Sequence, residues 1–391
     1  MFISRGVKSS LQRELYSFHK EVLGSEFNIR TVTKSAFTKA RAKVKHEAFI
    51  ELNQNVTNTF YSEAPYLGWR GLRVLGVDGT RLILPNHKSI IEEFGEHSFG
   101  PNSDSKRSLA LGSCLYDCIN LLTLDAQIAP YSASERDLLL KHLEKVNSGD
   151  LLLMDRGYPS KALLFLLKAK AIQFCIRMKD QGWLSVKEFA KSGEKEKIVH
   201  FKLPPKDHEL LNDYPKMFDK EIKCRLVRIE LENGEVEVLC TSLLDKVKYP
   251  YEEFSDLYHQ RWGIEESYKL FKARVEVENF SGKTALAVKQ DFFAKIFMMS
   301  LSAVLAFPIE EKVIKESKEA ELKHPQKINR TNTYAALVNI SVGMFLKKHI
   351  AKAMAAFDSI VYQTREIIRP DRKYERKKRP KKLYHSNYKP L

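Results

Sequence analysis

The sequence predicts an α/β fold built on a mixed sheet, with a β-rich insertion and flanking helical regions. Three observations predict it. Strand-like apolar runs at 72–84, 109–120, 121–130, 151–154 and 172–178 alternate, from 134 onward, with segments of helical spacing. A polar, β-prone stretch at about 180–248 interrupts that alternation. Helical patterns lie before residue 65 and after residue 253.

Residues 1–65 read as a helical N-terminal region. Within it, Arg30 to Arg41 opens with capping-type residues and runs into an Ala/Lys-rich amphipathic segment ending near Leu52. Its basic residues suit DNA, and equally an ordinary solvated face. Leu72 to Leu84 is rich in β-branched and apolar residues, as a central strand should be. Leu109 to Asn120 and Leu121 to Pro130 make two more strands, with Asn120 at the turn. Ser134 to Val146 suits a helix, because Leu138, Leu139, His142 and Leu143 recur at helical spacing. Leu151 to Met154 is a fourth strand, followed by a helix at Lys161 to Ala169 and a strand at Ile172 to Met178. Three strands, helix, strand, helix, strand is also the order expected of a ribonuclease-H-like fold.

In the insertion, Arg225 to Ser242 reads as two strands around Asn233-Gly234, a two-residue hairpin signal. Helices are expected at Glu253 to Val275, Ala285 to Ala306 and Tyr334 to Ala356. The central domain therefore spans 66–310, and 311–368 forms a C-terminal helical region. The tail, 369–391, is dominated by Lys and Arg between 369 and 382; it is expected to be disordered and to hold nucleic acid non-specifically, or to be merely solvated.

Composition narrows the classes. Hydrophobic residues make up 43% of the 391, enough for a sizeable core. The best apolar run, Ile296 to Phe307, falls short of the ~20 residues a membrane span needs. The N-terminus lacks the apolar core of a signal peptide, so a cytoplasmic, nucleoid-associated protein with no membrane partner is expected. The cysteines (Cys114, Cys118, Cys175, Cys224, Cys240) are too scattered for a disulfide framework or a zinc site, and read as buried apolar residues. A net charge of +16 favours polyanions, since each neutralised phosphate releases counterions, although basic proteins of other classes share it.

Three acids stand out. Asp78, in Leu75-Gly76-Val77-Asp78-Gly79-Thr80, places a carboxylate in an otherwise apolar strand, where burial costs several kcal/mol unless a cation pairs with it; Asp-Gly is equally a turn signal. Asp155 follows a strand, where chemistry gathers in α/β sheets, and is equally placed to cap a helix. On the helix around 265, Leu257, Ile264, Tyr268, Phe271 and Val275 form one stripe at about 100° per residue. Tyr258, Arg261, Glu265 and Lys272 fall on the adjoining stripe, and Glu266 points away from the core. The bland reading is an i,i+4 pair between Arg261 and Glu265, worth a few tenths of a kcal/mol. Gly263 costs a helix about 1 kcal/mol and implies a close neighbour.

Tyr258, two residues, Arg261, three residues, Glu265, six residues, Lys272 matches every position of the Tyr-Arg-Glu-Lys signature, and the chain resembles the transposases of bacterial insertion sequences, specifically the family numbered four. Asp78-Gly79-Thr80, Asp155-Arg156-Gly157-Tyr158, Thr241 to Asp245, Phe280 to Thr284 and Ser35 to Arg41 are similar to that family too, so the resemblance runs from about residue 30 to residue 310. It implies a ribonuclease-H-like catalytic domain in which Asp78, Asp155 and Glu265 hold two Mg²⁺ ions, with Mn²⁺ as substitute. Tyr258, Arg261 and Lys272 would contact phosphates at the element's ends, and Lys106 and Arg107 are further candidates for phosphate contact.

The function so implied is a DDE transposase. It would cleave double-stranded DNA at terminal inverted repeats and join the 3′-hydroxyl ends to target DNA by two-metal phosphoryl transfer, as a homodimer in a synaptic complex. The alternative is a non-catalytic DNA-binding protein derived from a transposase; a nuclease of the same fold is a third reading. Trp183, Tyr214 and Phe218 are candidates for stacking on a flipped base, and each suits plain packing better.

Overall fold

The computed structural model describes residues 1–6, 9–27, 30–98, 106–179, 182–231 and 234–369. Its centre is a sheet of β1 (Val74–Ile83), β2 (Leu109–Asp117), β3 (Leu122–Pro130), β4 (Leu151–Met154), β5 (Gln173–Arg177), β6 (Glu196–Lys202), β7 (Glu221–Glu230) and β8 (Val236–Thr241). Across the sheet the order is β3-β2-β1-β4-β5-β8-β7-β6. The first three strands form an antiparallel meander, and β4 and β5 run parallel to β1. The parallel strands are entered through helices α4 (Glu135–His142) and α5 (Lys161–Ala169), as parallel pairing requires. This is the ribonuclease-H-like arrangement expected from the element order.

The insertion adds α6 (Leu184–Ser192) and continues the same sheet, because β8 pairs antiparallel with β5, Leu239 opposite Arg177. The turn between β7 and β8 is longer than the two-residue form expected. Leu231 N–H bonds the Glu235 carbonyl, leaving three residues between them, with Gly234 at φ 80°. Asn233 itself lies outside the described residues.

Outside the sheet the chain is helical: α1 (Leu11–Leu23), α2 (Lys34–Arg41) and α3 (Glu47–Glu63) precede it, and α7 (Phe254–His259), α8 (Trp262–Ala273), α9 (Ala285–Glu319), α10 (Arg330–Phe345) and α11 (Ile350–Gln363) follow. Three expected helices change shape. The one ending near Leu52 breaks at 42–46, the one at Glu253 to Val275 divides at Gln260–Arg261, and the one at Tyr334 to Ala356 divides at 346–349. The helix expected to stop at Ala306 instead passes through Pro308 to Glu319. An interior proline costs ~3 kcal/mol, and here Phe307, Ile309 and Val313 are buried around it, so packing outweighs propensity. That extension also makes α9 long and apolar enough to cross a membrane, although 67% of its apolar window is buried inside the protein, as in a core helix.

The strands carry core on both faces. Along β1, Val74 and Leu82 join the cluster under α8 and α9, whereas Leu75 and Val77 join the one under α4 and α5. The N-terminal helices are clasped to α9. Arg41, buried, donates from Nε to Gln290 (2.8 Å) and from Nη2 to Asp291 (3.0 Å), and Asp291 also accepts from the Ser281 backbone N–H (2.6 Å). Two segments that looked similar to one family, around 35–41 and 280–284, thus meet as one buried network. Arg41 is spent on it, while Lys34, Lys39, Lys43 and Lys45 stay exposed. Of the basic tail only Arg369 is described; the rest lies outside the described residues.

Candidate active site

Asp78 sits inside β1, which continues to Ile83, so Asp78-Gly79 is not a turn. The parallel pairing of β1 with β4 runs Val74 to Leu151, Leu75 to Leu152 and Gly76 to Leu153. Two residues further, the same register sets Asp155 level with Asp78, on chains ~4.8 Å apart. Because β4 ends at Met154, β1 has no strand beside it there, and the two acids border an open notch. Each is anchored by backbone: Gly79 N–H donates to Asp78 Oδ1 (2.8 Å) and Gly157 N–H to Asp155 Oδ1 (2.7 Å). The cap of α5 is Ser160, whose Oγ accepts from Leu163 N–H (3.2 Å), which leaves Asp155 free of that duty.

Helix α8 lies across β1 on the face of Asp78. Its buried stripe, Ile264, Tyr268 and Phe271, is the one the spacing predicts. Gly76 allows the approach: a Cβ there would fall 2.9 Å from Cys118 Sγ and 3.7 Å from Ile264. Gly263 faces Cys118 at ordinary contact distance (3.5 Å to its carbonyl oxygen), so a neighbour exists but glycine is not required. Tyr268 donates to the Asp78 carbonyl (2.7 Å) and Lys272 to the Arg81 carbonyl (2.5 Å). The side chain of Glu265 is 35% exposed against 65% for Glu266, which pairs outward with Lys269. Arg261 joins the two elements. Its Nη2 donates to Glu265 Oε1 (2.7 Å), and its Nη1 stands 4.0 Å from Asp78 Oδ2.

The remaining candidates divide. Tyr258 is buried, and its hydroxyl donates to the Met154 carbonyl (3.3 Å), holding the strand end that carries Asp155. Lys106 and Arg107 pair with Ser98 and His97 in a small ribbon. They precede Leu109, which faces Ile83, five residues past Asp78 on β1. At ~3.4 Å per residue that is about 17 Å along the strand, so the fold does not bring them beside the acids. Trp183 packs edge-on against Phe201 (4.8 Å) and Phe218 stacks on His208 (4.1 Å), while Lys170 lies over the Tyr214 ring (5.9 Å).

The site is short of positive charge. Burial raises the Asp78 carboxyl to about 6, Asp155 and Glu135 push it the same way, and the Gly79 N–H and Arg261 act against them. Burial and Asp155 raise Glu135 as well. Burial lowers the Lys272 ammonium. Sequence reasoning missed Glu135 and Tyr268. Glu135 reads as an ordinary acid in a helix's first turn, and Tyr268 as one more member of the apolar stripe. Among the described residues no three His, Cys, Asp or Glu side chains are gathered as a ready metal cage, since Glu265 is turned onto Arg261.

Strand order and site together define a ribonuclease-H-like protein with one acid inside β1, one just past the end of the parallel β4 and one on a crossing helix. Residues 69–301 match the transposase DDE domain, and the chain belongs to that family. It is similar to the transposase InsG for insertion sequence element IS4 of Escherichia coli (strain K12), 25% identical over 247 residues, which are 63% of this chain and 54% of that protein. The chain thus matches about half the length of that relative. Among solved structures, the piggyBac transposase synaptic complex with hairpin DNA gives a TM-score of 0.43 at 11% identity, over 87% of this chain and 67% of that one. The NurA nuclease from Sulfolobus solfataricus gives 0.23 at 13% identity, over 75% and 99%. Those superpositions are loose, and the fold assignment rests on the strand order.

Proposed function

We propose that the protein is a DNA transposase of insertion-sequence type. It would cut double-stranded DNA at an element's terminal inverted repeats and join the freed 3′-hydroxyl ends to target DNA, two copies acting in one synaptic complex. The observation that carries the reading is the placement of Asp78 on β1 and of Asp155 just past the end of the parallel β4, with Arg261 linking Asp78 to Glu265 on the helix laid across β1.

The donor set suits Mg²⁺, with Mn²⁺ as substitute: Asp78, Asp155 and Glu265 offer only hard carboxylate oxygens, in a place where negative charge outweighs positive. Two such ions, when bound, supply activation of an attacking oxygen and stabilisation of a departing one. The chain's own residues do the rest. Backbone N–H groups fix one oxygen of each Asp, and the second oxygen of Asp78 faces Arg261 at 4.0 Å. Tyr258 and Tyr268 tie the strand segments bearing the two Asp residues to the helices that cover them. Arg261 neutralises Glu265 in the free protein; a DNA phosphate, which matches its fork, would draw it away and release the third carboxylate. Lys272 is near enough along β1 to add a point charge for the backbone of the bound strand. The net charge of +16 supports DNA as the partner.

The test is cleavage of DNA carrying the element's own terminal repeat with Mg²⁺. Wild type and Glu266→Gln are expected to cut. Glu265→Gln is expected to bind but to lose on the order of 10³-fold in rate, as removal of several kcal/mol of charge stabilisation implies. Binding of the repeat by wild type with no nicking in Mg²⁺ or Mn²⁺ would replace this reading with a non-catalytic DNA-binding protein.

A further inference from the structure

We propose that Glu135 is a fourth carboxylate of this cation site, reaching the notch from the opposite face of the sheet, with the Tyr158 hydroxyl as its positioning donor. The inference rests on the metal site read above.

Glu135 is the first residue of α4, after the cap Ser134, whose Oγ accepts from Arg136 N–H (3.2 Å). An acid there normally does no more than complement the helix dipole, a task Asp137 also performs. Its carboxylate, however, lies against the backbone next to Asp78: a Cβ on Gly79 would meet Glu135 Oε1 at 2.5 Å and Cδ at 3.0 Å. The adjacent Arg136 donates from Nη2 to the carbonyls of Gly157 (3.0 Å) and Pro159 (3.2 Å), pinning the first turn of α4 to the loop that begins with Asp155. Among the described residues Glu135 has no basic partner, although both acids of the notch act on it or it on them.

Tyr158 supplies the independent observation. The residue is fully buried, its hydroxyl has no hydrogen-bond partner among the described residues, and the charges of Glu135, Asp78 and Asp155 bear on it. Leaving a buried hydroxyl unpaired is costly, so an acceptor belongs in front of it. Because β4 ends at Met154, its pairing with β1 stops short of Asp78 and Gly79, whose side-chain positions alternate between the two faces, so Glu135 against Gly79 and the Asp78 carboxylate border the same stretch of β1. Since Mg²⁺ keeps several of its waters, Glu135 would act through an ion-bound water, and Tyr158 would hold that carboxylate or water in place.

The experiment is titration of the full-length, metal-free protein with Mn²⁺, without DNA, followed by electron paramagnetic resonance. Glu135→Gln should weaken binding ~10-fold, as loss of an outer-sphere partner does. Asp137→Asn should leave it unchanged. Tyr158→Phe should weaken it a few-fold while the metal-free melting temperature holds or rises, a pattern that a purely structural tyrosine would not give. Wild-type affinity in Glu135→Gln, with Asp155→Asn impaired, overturns this inference and leaves the three-acid reading standing. Wild-type affinity in both overturns the two together.

Discussion

Two of the three acids are held by main chain and the third by a side chain. Asp78 lies on β1 and Asp155 directly follows the parallel β4, each fastened by a nearby backbone N–H, whereas Glu265 rides on a helix and is fixed by Arg261. Strand register cannot slip without turning every side chain of the strand, so the first two positions are permanent. An arginine contact can be exchanged for a phosphate at little cost. On the proposed reading, the fold would preassemble two of the three acids and leave the third to be released by the substrate.

The strongest way to break that comparison is Arg261→Gln. It should cost on the order of 10²-fold in cleavage, as loss of one charged donor does, and yet raise Mn²⁺ affinity in the absence of DNA, because Glu265 is no longer engaged. Unchanged or weaker Mn²⁺ binding in calorimetry would show that Arg261 does not hold the third acid back. Next comes Asp78→Asn. The folded-state carboxyl, raised to about 6, binds its proton more tightly than in the unfolded chain, so stability is lost as pH rises from ~4 to ~6. Removing the charge should stabilise the metal-free protein by about 1–3 kcal/mol above pH 6 and by nothing below pH 4, as urea unfolding in chelator would report. A variant less stable than wild type at pH 7.5 would contradict it.

Gly76→Ala tests the seating of the helix. The added methyl meets Cys118 Sγ at 2.9 Å, so a loss of about 1–2 kcal/mol is expected, with recovery in the double variant Gly76→Ala, Cys118→Ala. Failure of the second change to restore the melting temperature would place the strain elsewhere. Tyr268→Phe is the mildest: the hydrogen bond to the Asp78 carbonyl is worth about 1 kcal/mol, and chemical denaturation should register a loss of that size. A change in cleavage larger than the change in stability would make Tyr268 part of the site's alignment.

Much of this was legible because local pattern and global placement agree. A largely apolar, β-branched run around Asp78 marks β1, and the helical stripe alone separates Glu265 from Glu266. Parallel register then did what sequence spacing alone does not express, setting residues 78 and 155 side by side. What stayed hidden depends on distant partners. The hairpin of β7 and β8 was visible locally, but its docking on β5 was not. Pro308 looked like a stop and is carried by packing. Glu135 matters only because Gly79, 56 residues earlier, leaves room for it.

The clasp at Arg41 has a consequence for how the chain is made. Its partner Asp291 lies 250 residues later, and at ~5–20 residues per second the ribosome delivers it about 10 to 50 s after the arginine. Helix α2 is thus made long before its buried contact with α9 can lock it. Protease challenge of stalled nascent chains should find residues 30–45 open until the segment around 291 has left the ribosome, then closed in one step.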